Sequence, residues 1–140
     1  MTDTLLDSDT TVARIVAALE AADYPSLADL YAANAVLDMN LPTWRFQHQG
    51  ADRIVSYFRH QTGSLTDLRC TYSRAVSTDD IVVVESECRF DGDDGEYLWR
   101  CVDIFAVANS CITRHTQYCT GCWKPGDIAR QAAEAPMVRW

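Results

Sequence analysis

The stretch Tyr97-Leu98-Trp99-Arg100-Cys101-Val102-Asp103-Ile104-Phe105-Ala106-Val107 alternates with a period of two. Trp99, Cys101, Asp103 and Phe105 fall on one face of a strand, and Arg100, Val102, Ile104 and Ala106 fall on the other. Aromatic and β-branched residues suit a pleated, half-buried surface. Residues 65–76, 81–90 and 112–119 read in the same way, so four long strands follow one another. Thr78-Asp79-Asp80, Asp91-Gly92-Asp93-Asp94-Gly95 and Asn109-Ser110 supply the turns between them.

Upstream of this block the period is 3.6. After a ragged start over residues 1–9, Asp9, Thr10 or Thr11 is expected to cap a helix whose Val12, Ile15, Val16 and Leu19 form one apolar stripe. Asp23-Tyr24-Pro25 ends it. Ser26 is then expected to cap a second helix over residues 27–33, with Asp29 completing a capping-box-like pair. Residues 36–41 read as a strand closed by Pro42, and 44–48 as a short edge segment. Gly50 opens a third helix with Ile54, Val55 and Phe58 on one face. After Lys124-Pro125-Gly126, residues 127–135 read as a short helix that folds back as a cover. The expected fold is α+β: three N-terminal helices on a strongly bent antiparallel sheet, forming a cone-shaped barrel in one domain spanning 1–140. The mouth of such a cone suits a small-molecule site.

The chain has 140 residues, 12 basic and 20 acidic, for a formal charge of −8. That length holds one domain and buries enough surface to fold without disulfides or metal. Lys124 is the single lysine and the arginines are scattered, so no basic face exists to neutralise nucleic-acid phosphates. The first residues are acidic and lack the pattern of a secretory signal, and no apolar run approaches a membrane span. The expected compartment is the cytoplasm, where the six cysteines stay reduced. Cys70, Cys88, Cys101 and Cys111 sit in strand runs, where a small apolar side chain accounts for them. Cys119-Thr120-Gly121-Cys122 follows a strand and has no second ligand pair, so neither a redox motif nor a metal site is expected. Glu85 and Glu87 share a face with Arg89, which a cross-strand ion pair explains.

The order of elements, the helix end Ala21-Ala22-Asp23-Tyr24-Pro25, and the strings Ala35-Val36-Leu37-Asp38-Met39-Asn40-Leu41-Pro42, Gly50-Ala51-Asp52 and Tyr118-Cys119-Thr120-Gly121-Cys122-Trp123 together resemble the nuclear-transport-factor-2-like, or SnoaL-like, superfamily. The resemblance covers roughly residues 10 to 123. That superfamily holds both enzymes and inert binding modules, so fold alone does not decide activity. The likeness is nearest to the polyether epoxide hydrolases and pyran-forming cyclases.

Asp38 lies on the face opposite Leu37, Met39 and Leu41, so it looks either to water or to a cavity. Its string is similar to the strand that carries a pocket Asn in limonene epoxide hydrolase, the first catalytic Asp of the polyether enzymes, and the base of ketosteroid isomerases. Asp103 lies among Trp99, Cys101 and Phe105, an apolar setting that disfavours its charged form. Val102-Asp103-Ile104-Phe105 resembles the isomerase strand whose protonated Asp donates to an oxyanion. Two carboxylates in unequal environments suit acid/base work, with Asp38 as base and Asp103 as acid.

His115 and Gln117 share a face with Thr113 and Cys119, and are expected to orient substrate together with Trp44, Phe46, Trp99 and Tyr72. Three positions depart from the resembled enzymes. Gln117 stands where the limonene enzyme has a catalytic Asp, Ile15 where the isomerases have an oxyanion Tyr, and Asp67 where polyether enzymes carry a second acid. The expected activity is closure of an oxygen heterocycle, pyran or furan, in an apolar polyketide-like substrate, without cofactor or metal. The alternatives are an epoxide hydrolase, a dehydratase or isomerase, and a non-catalytic binding module. Partners other than the small molecule are not expected: no nucleic acid and no membrane, although the family's strand face often dimerises and a homodimer fits that habit.

Overall fold

The structure is a computed structural model that describes residues 8–138, with the side chains of residues 8, 9, 11 and 12 left out. The element order is α1 Ser8–Glu20, α2 Tyr24–Ala28, β1 Tyr31–Leu41, β2 Trp44–Gln49, α3 Ala51–Thr62, β3 Thr66–Ser77, β4 Ile81–Gly92, β5 Gly95–Ala108, β6 Cys111–Cys119 and α4 Pro125–Glu134. All six strands join one sheet in the order β2-β1-β6-β5-β4-β3, which leaves β2 and β3 as edges. The fold is the expected α+β class, with a curved sheet that does not close into a barrel.

β3 to β6 form the expected antiparallel meander, but β1 runs parallel to β6 at the centre of the sheet. A parallel pair requires a long connection. Here β2, α3 and the meander provide it. The core combines α2 and α3 with the inner face of β1, β4, β5 and β6, including Leu27, Leu37, Ile54, Phe105 and Ile112, all at 2% exposure or less.

The second helix differs from the expectation. α2 covers Tyr24–Ala28, and its cap is Asp23, whose carboxylate accepts the Ser26 N–H and Oγ–H at 3.2 and 2.6 Å. Ser26 is inside the helix, and Asp29 is its C-cap and not part of a capping box. A carboxylate at Asp23 followed by Pro25 starts the helix one turn early. The Ala-rich residues 32–35 then join β1, where burial of Tyr31 and Ala35 overrides helix propensity. α1 starts at Ser8, so Asp9, Thr10 and Thr11 lie within it, and the expected Val12 contact and the start over residues 1–7 lie outside the described side chains and residues.

Gly50 takes φ +100° between β2 and α3, a conformation that glycine reaches without Cβ strain. Its N–H donates to Ala35 O at 2.8 Å, tying the start of α3 to β1. Among the described residues no helix is long and apolar enough to cross a membrane.

Leu37 is fully buried whereas Val76 is 64% exposed. Leu37→Ala is expected to lower unfolding free energy by about 2–5 kcal/mol, and Val76→Ala by no more than about 0.5 kcal/mol, in urea titrations. Equal losses would contradict this placement of the core.

Candidate functional site

The helices do not lie flat on the sheet. Between them and its concave face is a cavity of about 510 Å³. This lies within the range of about 300–1,000 Å³ of small-molecule sites. α1 contributes Ile15 and Leu19, α3 contributes Tyr57 and Phe58, and β1 contributes Met39 and Leu41. Into this apolar shell β5 and β6 bring three polar side chains, Asp103, His115 and Gln117.

Register brings them together. Asp103 is paired with Gln117, and Phe105 with His115, across the β5–β6 ladder. Directly opposed side chains on one face of an antiparallel pair sit within contact distance. His115 Nε2 lies 2.5 Å from Asp103 Oδ1, and Gln117 Nε2 donates to the same oxygen at 2.7 Å. Both bonds fall on Oδ1, which leaves Oδ2 as the oxygen of Asp103 available to a cavity guest. On the other side of the ring, His115 Nδ1 is 2.8 Å from the Tyr31 hydroxyl. Phe105 and Phe58 pack against the His115 ring at 4.2 and 6.0 Å between centroids.

The network has a direction. Burial, and next the nearby Asp103 charge, push the Tyr31 hydroxyl well above the ordinary phenol range. Tyr31 therefore keeps its proton and is able to donate it to Nδ1. With Tyr31 as the donor, the ring proton belongs on Nε2, facing Asp103 Oδ1. In this arrangement Asp103 accepts two hydrogen bonds on one oxygen, as a carboxylate does. Tyr31 lies in the part of β1 that the sequence presents as helix, which is why it was not among the expected site residues.

Asp38 is not in this site. Its carboxylate is buried at 3% exposure on the opposite, convex face, although the alternation correctly separates it from Met39 and Leu41. It faces neither water nor the cavity, because the neighbouring edge strand covers it. Arg45 Nε and Nη2 donate to Asp38 Oδ1 and Oδ2 at 2.9 and 2.7 Å, a bidentate pair across the β1–β2 ladder. The Arg45 hydrogen bonds hold the Asp38 carboxyl below the usual carboxylate range, against the effect of burial. An acid/base pair of Asp38 and Asp103 in one cavity is therefore corrected: the sheet lies between them. Among the described residues, the other carboxylate on the cavity lining is Glu20 at the end of α1, whose Oε1 accepts the Cys70 N–H at 2.8 Å.

Of the expected substrate contacts, Phe46, Trp99, His115 and Gln117 line the cavity. Tyr72 does not. The β3–β4 register shifts between Cys70 and Tyr72, so a bulge turns Tyr72 to the outer face and brings Ser73 to the lining beside Cys70. Trp44 does not line it either, being 68% exposed at the end of an edge strand, whereas Phe46 two residues on packs against Tyr57 of α3. Asp67, at the start of β3, is bound to Arg69 at the surface. On the convex face, Glu87 is buried against Thr71 and against Arg89 of its own strand, and the expected cross-strand ion pairing of Glu85 and Glu87 is with Arg100 of β5 at 3.9 and 3.8 Å.

A family model for the SnoaL-like domain matches residues 12–115, most of the chain. The chain belongs to the SnoaL-like domain family. No curated protein matches it. Among solved structures, an NTF2-like protein from Anabaena variabilis superposes with a TM-score of 0.69 at 17% identity, covering 91% of this chain and 97% of that one. IdmH from Streptomyces antibioticus, a candidate polyketide cyclase, gives 0.68 at 15% identity over 81% and 91%. A candidate ketosteroid isomerase from Kribbella flavida gives 0.62 at 14% identity over 84% and 81%. At such identities the likeness establishes the fold, and the chemistry rests on the SnoaL-like chain's own residues.

Two measurements check this geometry. Asp38 has a folded pKa below its unfolded value of about 3.9, so its stabilisation is complete above that pH and is lost as pH falls through the folded value. The stability gap between wild type and Asp38→Asn is expected to be widest above about pH 4 and to shrink below it; a gap constant with pH would remove the ion pair from the argument. Nitrogen NMR of the imidazole is expected to show the Nε2-protonated tautomer of His115 in the wild type, and in Tyr31→Phe an Nδ1 resonance moved to that of a nitrogen without a hydrogen-bond donor while Nε2 stays protonated against Asp103. An Nδ1-protonated ring in the wild type would reverse the direction of the network.

Proposed function

We propose that this SnoaL-like chain is a cyclase that closes an oxygen heterocycle in an apolar, polyketide-type substrate, with Asp103 carrying the proton. The single observation behind this is Asp103 in the cavity wall, with Oδ1 held by His115 and Gln117 and Oδ2 left for the guest.

With Asp38 behind the sheet and Glu20 turned to the Cys70 backbone N–H at the end of α1, the reading runs on the one carboxylate that His115 and Gln117 orient. Opening an epoxide by general acid/base catalysis calls for separate groups to activate the nucleophile and protonate the leaving oxygen. Addition of a substrate hydroxyl to an α,β-unsaturated carbonyl needs only one. Asp103 takes the hydroxyl proton as the C–O bond forms, and returns that proton to the α-carbon as the enolate collapses. The net reaction is an isomerisation to a pyran or furan and needs no outside acid or oxidant. His115 and Gln117 steady the carboxylate through both steps. The apolar lining supports a hydrocarbon-rich chain folded for attack, which contributes rate through proximity.

A long-chain hydroxy-enone able to close a six-membered ring is the test substrate, with loss of enone absorbance followed in D2O. The expected outcome is an accelerated closure with one deuteron placed at the α-carbon. Asp103→Asn is expected to lower the rate by about 10²–10⁴-fold, and Asp38→Asn by less than about threefold. A folded Asp103→Asn protein with full turnover would end the proposal and leave a binding module in its place.

A further inference from the structure

α3 turns Tyr57, Phe58, Gln61 and Thr62 to the cavity. Ile54, Val55 and Phe58 are buried in the core, and Tyr57 stands half-buried on the flank of their face. Its ring is set edge-on against Phe46 of β2 at 5.2 Å and against Phe58 at 5.4 Å between centroids. The reaction proposed above gives this residue no part. On the same helix the Thr62 hydroxyl donates to Phe58 O at 2.8 Å, and across the cavity the Tyr31 hydroxyl meets His115 Nδ1. Among the described residues nothing takes the Tyr57 hydroxyl. Burial pushes that hydroxyl up to about 12, so near neutral pH it is an O–H donor.

Two lines of contact set Tyr57 on the helical wall facing Asp103. Phe58, the next residue of α3, packs on the His115 ring, and His115 Nε2 is 2.5 Å from Asp103 Oδ1. Phe46 pairs with Met39 across β1–β2, Met39 pairs with Gln117 across β1–β6, and Gln117 holds Asp103. After burial, the groups that bear on the Tyr57 hydroxyl are Cys119 and Cys101. These stand two residues beyond Gln117 and before Asp103, on the same concave face. Two residues of strand span about 7 Å. The hydroxyl and the carboxylate therefore lie on opposite walls, one step apart along the sheet.

We infer that Tyr57 is the donor for the guest's carbonyl oxygen, so that the cavity selects ketones and related acyl compounds over hydrocarbons of the same shape. The selection stands on the cavity alone, and its catalytic consequence rests on the cyclase reading. As the substrate hydroxyl oxygen adds to the β-carbon, the C=C electron pair moves through the α-carbon to the carbonyl oxygen. The charge that develops there meets the Tyr57 O–H, while Asp103 holds the proton that the α-carbon will take. With contacts of about 3 Å at either end, the two bonds from α-carbon to carbonyl oxygen fit a step of about 7 Å. The Tyr57 proton is shared and not transferred, so the balance of the reaction is unchanged.

The test uses the intact chain with 2-acetylnaphthalene, carbon-13 labelled at the carbonyl, and 2-isopropenylnaphthalene, which has CH2 in place of the oxygen. Neither can close a ring. In the wild type the bound carbonyl resonance is expected downfield of its position in dioxane, as a donated hydrogen bond requires. Tyr57→Phe is expected to remove that displacement and to weaken binding of the ketone about threefold to tenfold, with binding of the hydrocarbon unchanged. With the hydroxy-enone, Tyr57→Phe is expected to lower kcat by about 10²–10³-fold and to change KM by less than about threefold. Circular dichroism checks the fold, in which Phe keeps the ring contacts with Phe46 and Phe58. A wild-type resonance at the dioxane position, a displacement that persists in Tyr57→Phe, or equal weakening of both guests would overturn the inference. Asp103→Asn is expected to keep the displacement, so full turnover in that variant ends the cyclase reading and leaves the carbonyl contact standing.

Discussion

The β5–β6 register is the constraint on which the site depends. Pairing Asp103 with Gln117 sets Phe105 against His115 and Cys101 against Cys119, so one alignment delivers the carboxylate, the imidazole, the amide and the thiol pair to one concave face. A slip of one residue would turn every one of these side chains to the convex face. The register is held from both sides, because β6 also pairs in parallel with β1 through His115 and Leu37, and β5 pairs with β4. Apolar burial secures it: Leu37, Phe105 and Ile112 are nearly inaccessible to solvent on the strands concerned.

The two aspartates illustrate how identical side chains acquire different chemistry. Both are buried, at 3% and 7% exposure. Asp38 meets a guanidinium that grips both oxygens, which neutralises it and removes it from proton exchange. Asp103 meets an imidazole and an amide on one oxygen, which orient it and leave the other oxygen unbound. A structural ion pair and a group suited to proton transfer thus arise from one residue type on two faces of one sheet.

Much of this was legible in the chain. Alternation along residues 97–107 and 112–119 places Asp103 with Trp99, Cys101 and Phe105, and His115 with Gln117 and Cys119, and the structure has both groupings on the cavity lining. The SnoaL-like resemblance was carried by local strings and agrees with the family match. Tyr72 was misread because a bulge breaks the alternation that the eye extends through it. Tyr31 was hidden because Tyr31-Ala32-Ala33 carries helix-forming alanines whose partner strand is some eighty residues away, at Ile112.

The sequence by itself determined the α+β class and, outside the bulge in β3, which side chains share a strand face, because both follow from local periodicity. Which side of the sheet faces the cavity, and which cation or ring meets each carboxylate, was decided only in three dimensions. Period two says that Asp38 and Met39 point opposite ways; it does not say where the helices will pack. The helices bury the face carrying Met39, and Arg45 from the adjacent edge strand closes over Asp38. Long-range pairing, with its register shifts, settles those partners, and no window of the chain contains it.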